Sequence, residues 1–269
     1  MTTHATSWKV IVVTENEFKG RVAFITGGGG GCIGGPTALA FAKQGASIAI
    51  CDMHAGRLEK WAKRIWTEAG VKAATAVLDI ADKKAIDTFI KLTRDTIGDV
   101  DVLVCNAAEN KLGKILEYRQ EDWDRTIDVS LNANYYLARQ LLPGMVRKKV
   151  GTIVNIASIA GWIGDPNPDR GEPAYSVAKA GLLSLTRNIA AELGPHGIRC
   201  NAVAPGLIWS RFVEKYEADL SRFKEATPLQ RYGTSEDIVE AILFLASDKR
   251  AGFITGETLN VSGGYYMRP

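Results

Sequence analysis

Thr26-Gly-Gly-Gly-Gly-Gly-Cys-Ile-Gly34 follows the apolar run Val22–Ile25 and opens a helix-like segment, Ile33–Gln44. Glycine lets a backbone turn sharply and approach a ligand closely. A helix N-terminus offers free N–H groups and a positive dipole end to phosphate. The surrounding stretch, Val22 to Ala42, carries no charge and is long enough to cross a bilayer. It also holds seven glycines and Pro36, and each glycine costs a helix about 1 kcal/mol relative to alanine. Strand, turn and helix therefore fit better than one membrane span. A glycine-rich stretch alone is a weak signal. Here it has a strand before it, a helix after it and an acidic residue, Asp52, 18 positions beyond Gly34. That context points to a dinucleotide site, with Gly27, Gly31, Cys32 and Ile33 as the turn's candidate contacts. Asp52 ends the second apolar run, where a carboxylate accepts from ribose hydroxyls and repels a 2′-phosphate. NAD is expected over NADP. Arg57 could instead meet a 2′-phosphate, or be a solvated helix residue.

The same alternation runs along the chain. Val22–Ile25, Ser47–Cys51, Ala73–Leu78, Val100–Cys105, Thr152–Ile156, Ile198–Val203 and Thr258–Val261 read as buried strands. Helical patterns lie between them at Ile33–Gln44, Arg57–Ala69, Lys83–Ile97, Glu121–Arg147, Ala174–Leu193 and Ser235–Ala246. Strand–helix alternation implies a parallel sheet with helices on both faces. The expectation is a single-domain α/β fold: a Rossmann-type, doubly wound, mainly parallel seven-stranded sheet. Residues 20–269 would form this dinucleotide-binding and catalytic domain, and residues 1–19 an N-terminal extension. Within the extension, Trp8–Val13 could be a further strand or an arm on a neighbour. Gly161–Pro173 is rich in Gly and Pro and reads as a loop. Residues 209–229 insert an amphipathic, aromatic-bearing segment, a candidate substrate lid. Both follow strand C-termini, where open α/β sheets bind ligands.

Composition narrows the class. Of 269 residues, 46% are hydrophobic and 23% charged, which excludes a wholly disordered chain. The net charge of +3 leaves no electrostatic footprint for nucleic acid. Cys32, Cys51, Cys105 and Cys200 are far apart, as expected of free thiols in a reducing compartment. His4, His54 and His196 lack metal-ligand spacing, so no metal is expected. The N-terminal apolar run, Val10–Val13, is too short for a signal peptide, and a cytoplasmic location is expected, with no membrane partner.

Five motifs in order resemble the short-chain dehydrogenase/reductase family from about Phe18 to Gly264. They are the glycine turn, Cys105-Asn-Ala-Ala108, Ser158, Tyr175-Ser-Val-Ala-Lys179 and Pro205-Gly206. The resemblance implies that Asp79 lies beside the adenine with Ile80 packed on it. It implies that Asn106 and Ala107 support the sheet centre near the cofactor, with Pro205 and Gly206 beyond. Ile208 should contact the nicotinamide carboxamide, with Ser210 nearby. Asp79 could alternatively cap a helix, Ile208 be packed, and Ser210 cap the next helix. Three departures stand out. The turn is one residue longer than T-G-x-x-x-G-x-G, N-A-G reads Asn106-Ala107-Ala108, and Ser130 stands where the family places a catalytic Asn. Ser130 is expected to hold water in a proton relay from Lys179, with Asn134, four residues on, as a lesser support.

Tyr175 and Lys179 are i and i+4, so they share a helix face. A tyrosine of ordinary pKa, near 10, is a poor base at neutral pH. A nearby ammonium and a positive nicotinamide ring would lower it, so that Tyr175 exchanges a proton with an alcohol or ketone. Lys179 would also hold the nicotinamide ribose, and Ser158 would hydrogen-bond the substrate oxygen. Taken singly, the Tyr–Lys pair could be an amphipathic pair and Ser158 a turn residue. The expected activity is NAD-dependent interconversion of a secondary alcohol and a ketone. Alternatives are a 3-oxoacyl-carrier-protein reductase and a noncatalytic NAD-binding regulator. Trp162, Trp209, Phe212, Tyr216 and Phe223 suggest a bulky or aryl-bearing substrate. Asp165, Asp169 and Arg170 could instead receive a polar one. The family suggests a homotetramer built partly through Glu121–Arg147 and Ala174–Leu193, where Ala174, Ala178, Ala180 and Gly181 would permit close packing, though they could equally pack against the chain's own sheet.

Overall fold

The computed structural model describes residues 16–164, 171–215 and 217–267. The segment Trp8–Val13 lies outside the described residues, as do Asp165, Asp169, Arg170, Tyr216 and the side chain of Phe212. Strands β1 (Val22–Thr26), β2 (Ser47–Asp52), β3 (Ala73–Val77), β4 (Val102–Cys105), β5 (Gly151–Ile156), β6 (Ile198–Pro205) and β7 (Thr258–Val261) form one sheet. Its order is β3-β2-β1-β4-β5-β6-β7. Every pair is parallel, so the doubly wound α/β sheet is wholly rather than mainly parallel.

β1 is buried throughout because both of its faces are covered. Ala23 and Ile25 point into one core with residues of α1 (Gly34–Lys43), α2 (Ala55–Ala69) and α9 (Ser235–Ala246). Val22 and Phe24 point into the other with α3 (Lys83–Ile97) and α5 (Ala133–Lys148). Central parallel strands buried on both faces lose the polar alternation of half-exposed strands. β3, at one edge, is only half-buried.

The helix ends follow local chemistry. Asp82 caps α3, accepting from the Lys84 and Ala85 N–H groups at 2.9 and 3.2 Å. α2 stops where Gly70 turns left-handed, and Thr234 and Asp237 form a capping box on α9. The single helix expected over Glu121–Arg147 is instead α4 (Gln120–Ile127), a π-helical turn (Asp128–Asn132) and α5. α6 (Pro173–Leu193) follows β5, with Pro173 in its first turn. The segment after β6 holds α7 (Arg211–Lys215) and α8 (Glu217–Ala226), and α10 (Asp248–Ala251) precedes β7.

The sheet order reverses direction between β1 and β4, so their carboxyl ends open a crevice. The glycine turn lies there. A Cβ at Gly34 would overlap the Gly27 carbonyl oxygen, whereas one at Gly31 would meet open space. The added length of the turn is therefore carried outward at exposed Gly31 and at Cys32, whose Sγ donates to the Trp209 carbonyl at 3.5 Å. Gly31→Ala is expected to leave stability unchanged or raise it by up to about 1 kcal/mol. Gly34→Ala should prevent stable folding. Denaturant titration of the two variants checks the contrast.

Candidate active site

Two clefts open at the carboxyl ends of the strands. The first, of about 440 Å³, is lined by Gly27 and Gly30, by Asp52, Met53, His54 and Arg57 after β2, by Asp79 and Ile80 after β3, and by Asn106, Ala107, Glu109 and Arg125. Thr26 Oγ1 accepts from the Asn106 and Ala107 N–H groups at 2.9 and 3.0 Å, and Asn106 Nδ2 donates to the Thr26 carbonyl at 2.9 Å. Gly27 turns at φ +65°. A side chain there would come within 2.8 Å of Asn106 Nδ2, so the cradle needs glycine. Asp52 accepts from the Gly29 N–H at 3.1 Å and the His54 N–H at 2.9 Å. Each carboxylate oxygen keeps a further lone pair for a ligand hydroxyl. α1 begins without a side-chain cap or an acidic residue in its first turn, which suits an anion at its N-terminus. These features fit a dinucleotide.

Several residues singled out in the sequence sit elsewhere. Gly31, Cys32 and Ile33 do not line this cleft. Ile208 is buried in the core, and its neighbour Trp209 donates its N–H to the Gly233 carbonyl at 2.8 Å. Ser210 Oγ accepts from the Val213 N–H at 3.3 Å and so caps α7. Pro205 ends β6, and Gly206 reaches the second cleft.

That second cleft, of about 220 Å³, is lined by Ser158 and Tyr175 together with Asn110, Leu112, Ile159, Ile163, Glu172, Gly206, Leu220, Phe223 and Tyr265. Ser158 Oγ accepts from the Ala160 N–H at 3.1 Å, and its hydroxyl hydrogen-bonds the Tyr175 phenol. Lys179 is 1% exposed, and its Nζ donates to the Ile156 carbonyl at 2.6 Å. The same Nζ lies 5.3 Å from the centre of the Tyr175 ring. Burial lowers the Lys179 ammonium to about 8, partly opposed by the charge of Cys105. Burial also pushes the Tyr175 phenol up, Glu172 adds to the shift, and Ser158 opposes it. The expected depression by Lys179 is thus not produced by the chain's own groups. Desolvation and the Glu172 carboxylate outweigh the Ser158 hydrogen bond.

Ser130 is also placed differently from the relay expectation. It is fully buried in the π-helical turn. Its Oγ donates to the Glu109 carbonyl and accepts from the Glu109 N–H, both at 3.0 Å. The hydroxyl has one proton, and Glu109 takes it; Ser130 is therefore a clasp on the loop after β4. Asn134 Nδ2 donates to the Ser130 carbonyl at 3.0 Å, and exposed Asn132 bonds Asp128.

The aromatic residues singled out in the sequence divide among the described residues. Phe223 lines the cleft and packs on Tyr265, ring centres 5.5 Å apart. Trp162 stacks on Tyr266 and Trp209 packs on Tyr232, and neither tryptophan lines the cleft. Sequence reasoning missed Tyr265, Glu172, Asn110, Glu109 and Arg125. Only Glu172 carried a local signal, standing three residues before Tyr175.

A parallel doubly wound sheet with a glycine cradle at its switch point, beside a cleft holding Ser, Tyr and a buried Lys, defines a nicotinamide-dinucleotide oxidoreductase. Comparison with known proteins makes this specific. A family model described as enoyl-(acyl carrier protein) reductase matches residues 30–266. The (2S)-[(R)-hydroxy(phenyl)methyl]succinyl-CoA dehydrogenase subunit BbsD of Thauera aromatica is 40% identical over 91% of this chain and 96% of its own length. The 3-oxoacyl-[acyl-carrier-protein] reductase FabG of Thermotoga maritima is 35% identical over 92% of this chain and 98% of its own. The crystal structure of gox2181 superposes with a TM-score of 0.86 at 30% identity, covering 92% of this chain and 96% of that one. The chain belongs to the short-chain dehydrogenase/reductase family. Among the described residues no helix is long and apolar enough to cross a membrane.

Two outcomes follow from the site's construction. Ser130→Ala removes both bonds to Glu109 and should cost about 1–3 kcal/mol of stability in chemical denaturation. A buried lysine whose folded pKa is depressed penalises folding below that pKa. The penalty is relieved as pH rises from about 8 toward the unfolded value of 10.5. Lys179→Met should therefore melt at a higher temperature than wild type at pH 7, with the gap closing above pH 10.

Proposed function

We propose that this protein is an NAD(H)-dependent oxidoreductase that interconverts a secondary alcohol and a ketone of bulky, apolar or aryl-bearing character. One observation carries the reading: Ser158 and Tyr175 meet in an apolar-walled cleft, over a buried Lys179, beside a separate cleft ended by Asp52. Gly27, Gly30 and the N-terminus of α1 would receive the pyrophosphate, with Gly31, Cys32 and Ile33 supporting the turn. Asp52 would take the adenosine ribose, Asp79 and Ile80 the adenine. Asn106, Ala107, Pro205 and Gly206 would frame the nicotinamide end, where Lys179 holds the ribose, while Ile208 and Ser210 act through packing and capping. When bound, the oxidised cofactor supplies a hydride acceptor and a positive charge. Tyr175 takes the proton of the alcohol and returns it in the reverse direction. Ser158 donates its hydroxyl proton to the substrate oxygen in both forms. Leu112, Ile159, Ile163, Leu220, Phe223 and Tyr265 exclude water and accept an apolar group.

The identity with BbsD, whose name carries a phenyl group, supports an aryl-bearing substrate. The FabG relatives favour a second reading, reduction of a 3-oxoacyl thioester. Exposed Tyr135 on α5 and Val177 on α6 support assembly through these helices, consistent with a homotetramer. Gly181 instead packs on Leu131 of its own chain. Four free cysteines suit the cytoplasm.

Tyr175→Phe should lower kcat by about 10²-fold or more while cofactor binding persists. Near-wild-type turnover in that variant removes the acid–base assignment. A turnover screen of aryl alcohols, aryl ketones and 3-oxoacyl thioesters, with both cofactors, separates the two readings. NAD should give the higher kcat/KM, and Asp52→Ala should narrow its lead over NADP. A wild-type preference for NADP would assign the ribose pocket to Arg57.

A further inference from the structure

The adenine end of the dinucleotide cleft carries an ion network that the catalytic reading leaves unused. Arg125, on α4, donates from Nη1 to Asp79 Oδ2 at 2.7 Å and from Nε to Glu109 Oε2 at 2.9 Å. The other oxygen of Asp79, Oδ1, accepts from the Ala81 N–H at 2.9 Å. With both oxygens held, the carboxylate plane cannot rotate, yet each oxygen retains a second lone pair. Asp79 is not the cap of α3; Asp82 has that role. Glu109 is itself braced. Its backbone is clasped on both sides by Ser130, and Lys111 lies 3.2 Å from its Oε1. Asp79, Glu109 and Arg125 line the cleft together with Ile80 and Val129, which offer apolar surface to the face of a base.

We propose that Arg125, braced by Glu109, sets the base selectivity of this cleft by fixing the Asp79 carboxylate as an acceptor for the 6-amino group of a purine. The proposal rests on the dinucleotide reading above and adds a positioning residue to it. The chemistry is directional. A carboxylate accepts from an exocyclic amine but repels a 6-oxo group, so adenine is favoured over hypoxanthine. Two donors of Arg125, Nη1 and Nε, are committed to carboxylates. These two bonds orient the guanidinium toward Asp79 and Glu109, and its effect on the base is exerted through Asp79. The link back to buried Ser130 gives the residue that replaces the family's Asn a use outside proton transfer: it anchors the brace.

The test is calorimetric titration of the whole protein with AMP and with IMP. Wild type should bind AMP about tenfold more tightly than IMP, the worth of one charge-assisted hydrogen bond. Arg125→Gln should weaken AMP, leave IMP little changed and bring the ratio close to one. Arg125→Lys should restore part of the preference, and Glu109→Gln should give an intermediate ratio. Arg125 is partly exposed, and melting curves check that each variant is folded. Should Arg125→Gln misfold, the lysine and Glu109 variants carry the same comparison. An unchanged ratio in the folded variants, or an equal loss of both nucleotides, overturns the positioning role while leaving the dinucleotide reading intact. Failure of wild type to bind either nucleotide overturns both.

Discussion

The hydroxyl of Thr26 holds the site together. It is fully buried at the end of β1 and accepts two backbone N–H groups, those of Asn106 and Ala107, from the end of β4. These strands lie at the point where the sheet order reverses. The β1–β4 register stops at Ile25 and Val104, so the Asn106 and Ala107 N–H groups lie beyond it. Buried backbone donors must find acceptors, and one side-chain oxygen meets both. Asn106 returns the contact, donating to the Thr26 and Gly27 carbonyls. On the far flank Asp52 binds the Gly29 N–H. The glycine turn is thus tied to both neighbouring strands, and its shape is set before any ligand arrives.

What was legible in the sequence follows from how locally each feature is encoded. β1 and its neighbours are continuous apolar runs bounded by glycine and polar residues, so strands and their parallel arrangement could be read directly. Ser158, Tyr175 and the β6 end at Pro205-Gly206 could be placed because their motif spacing is itself structural. The π-helical turn could not. It disturbs the apolar period of Glu121–Arg147 too little to be seen, yet it buries Ser130 against Glu109, 21 residues earlier. Resemblance gave Ser130 the role of its family position, but a hydroxyl is too short to act as an amide and bonds the nearest backbone instead. Ile208 and Ser210 show the same limit: core packing and a helix cap occupy them. Tyr265 reaches the substrate cleft only because β7 lies at the edge beside β6.

Buried Lys179 and half-buried Tyr175 both shift under desolvation. Lys179 keeps its Nζ bonded to the Ile156 carbonyl and pays for burial with a lowered pKa. Tyr175 is shifted in the unhelpful direction by the same desolvation, and Glu172 reinforces it. The phenol is therefore held protonated by its surroundings in the chain.

The two clefts share one wall. Successive residues of the loop after β4 serve different sides: Glu109 bonds Arg125 in the dinucleotide cleft, while Asn110 Nδ2 donates to Glu172 Oε2 at 2.6 Å in the substrate cleft. The loop is further fixed where the Gly113 N–H donates to the Gly171 carbonyl. Glu172 lies three residues before Tyr175, at the start of α6. A displacement of Glu109 must therefore move Asn110 and with it the carboxylate that raises the Tyr175 phenol. Ser130, holding both backbone groups of Glu109, resists that displacement from the buried side. The polar residue at this position fixes the wall between the two clefts, a demand of geometry that a small hydroxyl meets and that sequence spacing alone does not express.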